Sequence, residues 1–152
     1  MKFSTRQDTD LSAEALFTAI SDFPKIERVL LRRGAHLRRL DHNLQAGLGS
    51  AWMIGFDWRG RPRDMRLEVS QFQPPESVVL SGGSDQFALT IQMTVVPLTR
   101  SKSRLIFEVD VQPRGMKARL MLQTAKLGKS QLDRKFSQRI SDFVSKLAVG
   151  VA

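Results

Sequence analysis

The spacing of the apolar residues changes twice along this chain, and these changes limit its possible folds more than any other feature. From Ala35 to Gln112, apolar and polar residues alternate with a period of two, which predicts β-strands. Over residues 11–34 and again after Pro113, apolar residues recur every three or four positions, as they do along one side of an α-helix. The chain is therefore predicted to have an α+β fold with a strand-rich centre.

Turn-forming residues divide this centre into six strand-like runs. The runs cover residues 35–41, 48–58, 62–73, 76–82, 86–96 and 103–112. Arg59-Gly60 is a predicted tight turn, Pro74-Pro75 breaks the chain, and residues 82–85 and 98–103 are predicted loops. Such short connections imply antiparallel neighbours. With a further polar strand predicted over residues 2–9, we expect a curved antiparallel sheet of about seven strands.

Two short helices are predicted after the first strand. Ser12 suits the N-cap of the first helix, and Leu11 and Leu16 stand at the hydrophobic-staple positions. Pro24 can begin the second helix, because proline fits the first turn of a helix. Gly34 suits a left-handed stop at its end.

A long helix is predicted near the C-terminal end. Its apolar stripe consists of Leu132, Phe136, Ile140, Phe143, Val144 and Leu147. Residues 114–128 are predicted to form a preceding helical section, and Gly128 is a weak point at which the helix bends. The stripe gives the long helix one side that can cover the sheet.

Length and composition favour one cytoplasmic domain. The chain has 152 residues, of which 41% are apolar, which suits one substantial core and predicts a single domain over residues 1–152. It has no cysteine, so disulfides and sulfur-based zinc sites are excluded. The first residues lack the apolar run of a signal peptide, and no later run approaches the roughly 20 residues that span a bilayer. We therefore expect a cytoplasmic protein without a transmembrane segment.

The chain is strongly basic. Its 24 Lys and Arg against 15 Asp and Glu give a formal net charge of +9, which attracts nucleic acid, anionic lipid or acidic proteins. The basic residues form three clusters, which are Arg28, Arg32, Arg33, Arg38 and Arg39, then Arg59, Arg61 and Arg63, then Lys117, Arg119, Lys126 and Lys129. No helix-turn-helix, RRM or OB signature accompanies them. We expect weak, non-specific binding to anionic surfaces and no specific recognition of nucleic acid.

Few residues are candidates for catalysis. His36 and His42 are interpreted as surface or structural residues, because spacing supplies no partner for either. Glu108 and Asp110 alternate with apolar residues and are assigned to a solvated strand face, as is Asp57. The chain has no HExxH, GxSxG, P-loop or dinucleotide-binding glycine motif. No metal, cofactor or catalytic residue is predicted, and whether the protein is an enzyme stays open.

Two short segments resemble a known protein superfamily. They are LSAEALF at residues 11–17 and ISDFP at residues 20–24. With the predicted order of one strand, two short helices, six strands and a long helix, they resemble the START-like (SRPBCC) superfamily, which includes polyketide cyclases and dehydrases and lipid-transport proteins. The tryptophan that many members place after the second segment is absent here, where Lys25-Ile26-Glu27-Arg28 follows. The resemblance implies a helix-grip fold, in which the sheet wraps on the long C-terminal helix around an apolar cavity.

Strand alternation and the stripe of the long helix assign a set of apolar side chains to the interior, and the resemblance implies that they line a ligand cavity. The predicted lining comprises Trp52, Ile54, Phe56, Trp58, Met65, Leu67, Phe87, Leu89, Ile91, Met93, Phe107, Leu132, Phe136 and Ile140. The first functional hypothesis is binding or transport of an apolar or amphipathic small molecule, such as a lipid. The alternatives are a cyclase or dehydrase acting on a hydrophobic substrate, and an interaction protein that uses its basic surface as chaperone-activator relatives do.

Overall fold

The order of helices and strands follows the predicted changes in spacing. The computed structural model describes residues 1–43, 45, 47–58 and 60–151, without the side chains of Trp58 and of residues 149–151. Within these residues the chain forms seven strands and four helices, in the order β1 (Lys2–Thr9), α1 (Ala13–Ile20), α2 (Phe23–Arg32), β2 (His36–Arg39), β3 (Ala51–Trp58), β4 (Arg61–Gln73), β5 (Ser77–Gly83), β6 (Phe87–Pro97), β7 (Ser103–Pro113), α3 (Met116–Lys126) and α4 (Lys129–Val151).

The strands of the described residues form one open antiparallel sheet. Their order across the sheet is β1-β7-β6-β5-β4-β3-β2. Strands β2 to β7 therefore pair with their neighbours in sequence, whereas β1 lies beside β7, with Phe3 opposite Val109 and Thr5 opposite Phe107. The predicted antiparallel sheet of about seven strands is confirmed.

The two short helices begin at residues whose side chains suit a helix start. The Ser12 hydroxyl accepts a hydrogen bond from the Ala15 backbone N–H at 3.1 Å and caps α1, as predicted. The Asp22 carboxylate caps α2 in the same way, through the Lys25 N–H at 3.3 Å. Pro24 lies in the first turn of α2, where its missing N–H leaves no hydrogen bond unmade. Both helices predicted after the first strand are confirmed.

The core lies between one face of the sheet and the helices α1 and α4. Leu16 and Ile20 of α1 and Leu105 of β7 are fully buried. Helix α1 packs on β6, β7 and α4, and α4 also packs along β1. Val144 and Leu147 are buried in the same core and belong to the predicted stripe of α4. The long C-terminal helix therefore covers the sheet as predicted.

Most predicted boundaries lie within a few residues of the observed ones. The second strand is shorter than the predicted run over residues 35–41, because the Ala51 N–H donates to the Asp41 carboxylate and does not continue the backbone pairing. The helical region after Pro113 divides at residues 127–128, where the sequence predicts a bend. Arg59, which is assigned to a tight turn, lies outside the described residues. Among the described helices, none combines the length and the apolar character that a membrane-crossing helix requires.

Candidate functional site

An apolar cavity lies between the sheet and the helices α2 and α4. Its volume is about 340 Å³, and it is partly open to solvent. The wall is formed by Phe23, Ile26, Glu27, Leu30, Leu37, Trp52, Ile54, Met65, Leu67, Leu80, Ile91, Met93, Phe107, Ile140 and Phe143. Apart from Glu27, each of these wall residues is apolar.

The period of each element explains which residues reach the cavity. Phe23, Ile26 and Leu30 lie at positions i, i+3 and i+7 of α2, so they share one side of that helix. Ile140 and Phe143 are three residues apart on α4 and face the same space. Strands β3, β4 and β6 each contribute two residues that are two positions apart, because alternate side chains of a strand share a face.

One acidic residue, Glu27, borders the cavity with its apolar stem. Glu27 lies four residues after Phe23, so it shares the cavity side of α2. Its Oε1 accepts a hydrogen bond from the indole Nε1 of Trp52 at 2.7 Å and lies 3.4 Å from Nη1 of Arg39. The Arg39 guanidinium lies over the Trp52 ring, with its Cζ 5.1 Å from the ring centroid. These contacts tie α2 to β2 and β3 at one side of the cavity.

Arg39 also connects Glu27 and Trp52 to the segment that follows β2. Its Nε and Nη2 donate to the two carboxylate oxygens of Asp41, at 2.5 and 3.1 Å. Asp41 further accepts hydrogen bonds from the backbone N–H groups of Ala51 and Asn43. The Arg39 hydrogen bond, together with these N–H donors, holds the pKa of Asp41 well below its usual range, because each donor stabilises the carboxylate form. Arg39 is thus held between two carboxylates, those of Asp41 and Glu27.

Most of the predicted lining residues are part of the cavity wall. They are Trp52, Ile54, Met65, Leu67, Ile91, Met93, Phe107 and Ile140. Strand register brings them together, because Trp52 lies opposite Leu67, and Met93 lies opposite Phe107. The alternation of the strands therefore leads to the same face of the sheet as the cavity.

Some strand residues that were predicted to line the cavity are not part of its wall. Phe56 and Leu89 pack against the core, and Phe87 is half-buried at the start of β6. Alternation along a strand predicts which side chains share a face of the sheet. It does not predict how much of the strand the helices cover. Trp58, whose backbone is part of β3, has a side chain that lies outside the described residues.

Two predicted residues of α4 also lie outside the wall. Phe136 is half-buried in a cluster of aromatic rings, with its centroid 5.6 Å from that of Phe3 and 5.9 Å from that of Phe107. Leu132, one helical turn earlier, is 36% exposed. The covered part of the α4 stripe therefore begins at Phe136, and the part that lines the cavity begins at Ile140.

Sequence reasoning misses about half of the wall. The missed residues are Phe23, Ile26, Glu27, Leu30, Leu37, Leu80 and Phe143. Several of them stand out as apolar positions of α2 and α4, but their spacing does not show that α2 encloses the cavity. Glu27 could have been noticed in the sequence, because it places a charge on the otherwise apolar side of a helix.

The other polar candidates do not line the cavity. His36, His42, Asp57 and Glu108 are exposed. Within the part of the chain that the structure describes, no three His, Asp or Glu side chains are grouped so as to hold a metal ion. Glu27 is the titratable residue that the structure places in the wall.

Replacing Glu27 tests the tie between α2 and the sheet. In Glu27→Ala, the indole N–H of the buried Trp52 loses its acceptor, and we expect the free energy of unfolding to fall by about 1–2 kcal/mol. Glu27→Gln keeps an oxygen at the same place and is the matched control, which should retain most of that stability. Urea unfolding followed by circular dichroism measures both variants. Equal losses in the two variants would contradict the assigned hydrogen bond.

Comparison with known proteins gives matches in structure only. No protein-family model and no curated protein matches the sequence. The ZhuI aromatase/cyclase from a Streptomyces species is similar, with 9% identity and a TM-score of 0.67 over 96% of this chain and 94% of that one. Norcoclaurine synthase from Thalictrum flavum, in complex with dopamine and hydroxybenzaldehyde, has 14% identity and a TM-score of 0.69 over 99% of this chain and 87% of that one. A START superfamily protein from Mycobacterium smegmatis has 16% identity and a TM-score of 0.57 over 90% and 97%.

These similarities extend over nearly the whole length of each chain. The sequence identities are too low to carry over an activity, since one fold hosts many functions. The described residues themselves form a seven-stranded antiparallel sheet with a long C-terminal helix. On this evidence of structure, the chain has the START-like, helix-grip fold.

Proposed function

We propose that the protein binds or transports an apolar or amphipathic small molecule in the cavity between the sheet, α2 and α4. The observation that carries this proposal is an apolar wall around about 340 Å³ of space. An apolar cavity of about 150 Å³ is enough to bind benzene, so this one has room for a larger molecule. Ligand pockets typically have mostly apolar walls with a few polar groups that fix orientation. The lining fits the apolar part of this description.

Burial of apolar surface supplies the affinity. Each 100 Å² of apolar ligand surface removed from water contributes about 2.5 kcal/mol before the costs of ordering. The described wall presents apolar atoms to this space, and Glu27 borders it with its apolar stem while its Oε1 holds Trp52. The affinity in this proposal therefore rests on apolar contact.

A cyclase or dehydrase acting on a hydrophobic substrate is the second candidate. Two of the similar solved structures are described as enzymes, which supports this alternative. They are an aromatase/cyclase and norcoclaurine synthase. However, the described wall presents apolar surface to the cavity, and the Oε1 of its one acidic residue, Glu27, is engaged by Trp52 and Arg39. General acid–base catalysis requires such a group within reach of the substrate, so binding is ranked first.

A neutral apolar probe tests the proposed binding. N-phenyl-1-naphthylamine, titrated into the folded protein, is expected to bind at one saturable site and to change the emission of Trp52, because that indole belongs to the wall. Trp52→Phe should remove most of the emission change while the probe's own fluorescence still reports binding. Weak, non-saturating binding by a protein that stays folded would contradict the proposal.

A cavity-filling variant is the sharper control for the same titration. Ile91→Phe adds volume to the wall, so the probe should bind at least tenfold more weakly while the thermal unfolding midpoint stays near that of the wild type. Leu120→Phe makes a similar change at a position that is 56% exposed on α3, and it should leave binding unchanged. A solid core would respond differently, since overpacking costs about 1–3 kcal/mol. Destabilisation of that size in Ile91→Phe would argue against an open cavity.

A further inference from the structure

A second, smaller hollow lies between α2 and α4, beside the cavity. Its volume is about 150 Å³. Its floor is formed by apolar residues of both helices, which are Ile26, Val29, Leu30, Phe143 and Leu147. Three of them, Ile26, Leu30 and Phe143, also line the larger cavity. The two spaces therefore share a wall.

Four cationic residues surround this hollow, and we call them the cationic rim. Lys25 and Arg33 come from α2 or its C-cap, and Arg139 and Lys146 come from α4. Within each pair the spacing is about two helical turns, which keeps both residues on one side of their helix. No carboxylate lines the hollow, and among the described residues none of the four forms an ion pair.

Like charges of this kind favour an anion between them. Their mutual repulsion costs free energy, most strongly at low salt, and an anion held among them removes that cost. Hydrogen bonds from Lys and Arg to a carboxylate or phosphate are about twice as strong as neutral ones. Long cationic side chains can cover apolar surface with their stems while their charged ends stay in water. The hollow therefore combines an apolar floor with a cationic rim.

We infer that the ligand of the cavity is an anionic amphiphile, whose carboxylate or phosphate lies at the cationic rim and whose apolar tail enters the adjacent cavity. This inference rests on the proposed function. The Glu27 carboxylate sets the orientation, because it is turned towards Trp52 and Arg39 and repels an acid group on that side. The acid end of the ligand then lies on the α4 side of α2.

The packing of α2 leaves a way in for the tail. Within the described residues, α2 packs on β2 but makes little contact with α4. The gap between the two helices is the place where the cationic rim lies. A chain that enters here passes the shared residues Ile26, Leu30 and Phe143 on its way to the larger space.

The test compares two probes of equal chain length that differ in headgroup charge. Laurate and dodecanol, both as monomers in solution, are titrated into the whole protein by displacement of N-phenyl-1-naphthylamine. Laurate is expected to bind at least tenfold more tightly than dodecanol at low salt. This advantage should shrink between about 50 and 300 mM salt, as screening weakens the attraction.

Variants of the rim assign the advantage to these residues. In Arg33→Gln/Arg139→Gln, laurate should lose its advantage while dodecanol binds as before. Lys117→Gln/Arg119→Gln removes the same charge from exposed positions of α3 and should preserve the advantage. Lys25→Gln/Lys146→Gln gives an independent reading of the rim if the first pair of substitutions prevents folding.

Each other outcome overturns the inference in a distinguishable way. Equal binding of laurate and dodecanol to the wild type would contradict the anionic ligand and leave the proposed function standing. Binding of neither probe by a folded protein would contradict both. The last experiment measures binding of the protein to phosphatidylglycerol vesicles. Suppose that the vesicles bind without competition from laurate and that Arg33→Gln/Arg139→Gln abolishes this binding. The rim then contacts a membrane surface, and the inference is wrong.

Discussion

The Leu16→Ala variant is expected to lose about 3–5 kcal/mol of unfolding free energy. Leu16 is 0% exposed and lies in the core where α1 meets β6, β7 and α4. Alanine has the highest helix propensity, so α1 itself is not weakened. The loss therefore reports the buried methyl groups and the space they leave. For a chain of this size, each kcal/mol lowers the Tm by about 2–4 °C, so the Tm should fall by roughly 6–20 °C.

Leu120→Ala is the matched control for this experiment. It removes the same atoms from a residue of α3 that is 56% exposed. Its effect is expected to stay within about 0.5 kcal/mol, as for other surface substitutions. Urea unfolding and calorimetry of both variants provide the comparison. Wild-type stability of the Leu16 variant would contradict the burial of α1 against the sheet.

The Phe136→Ala variant is expected to lose about 2–3 kcal/mol. Truncation of a well-packed phenylalanine costs about 3–5 kcal/mol, and the partial exposure of Phe136 lowers this value. The ring contacts Phe3 of β1 and Phe107 of β7, so it holds α4 against two neighbouring strands. Aromatic pairs of this kind add about 0.5–1.5 kcal/mol beyond the area they bury. Urea unfolding measures the loss.

Two controls show which atoms and which turn of α4 are responsible for this effect. Phe136→Leu keeps most of the apolar volume and should cost less than about 1.5 kcal/mol. Leu132→Ala changes a residue one turn earlier, where the side chain is 36% exposed, and should cost less than about 1 kcal/mol. If Leu132→Ala costs as much as Phe136→Ala, the covered part of α4 begins one turn earlier than described above.

Features that depend on near neighbours in sequence could be predicted. Leu67 and Val69 of β4 are buried while the intervening Glu68 and the following Ser70 are exposed, so the period of two is visible in the sequence itself. Ser12 caps α1 through a residue only three positions away. The order of the strands in the sheet could not be predicted in this way, because no local pattern shows that β1 pairs with β7.

The cavity could be predicted only in part, for the same reason. Alternation identifies Ile91 and Met93 as residues of one face, but the extent of the enclosed space depends on where α2 is held. That position rests on contacts between distant parts of the chain, such as the hydrogen bond from Trp52 to Glu27. The cationic rim could not be predicted from the sequence either, because it combines residues of α2 and α4 that are far apart in the chain.

The place of β1 in the sheet determines the order in which the fold can assemble. Asp8 of β1 and Arg104 of β7 form an ion pair although they are 96 residues apart in sequence. Strands β2 to β7 pair in chain order and can form as successive hairpins, which is fast from β3 to β7 because the loops there are short. β1 precedes all of them, yet it has no strand to pair with until β7 has been synthesised. Its pairing closes a loop of 96 residues between Asp8 and Arg104, so we expect β1 to join the sheet after the hairpins, together with α4, which packs along β1.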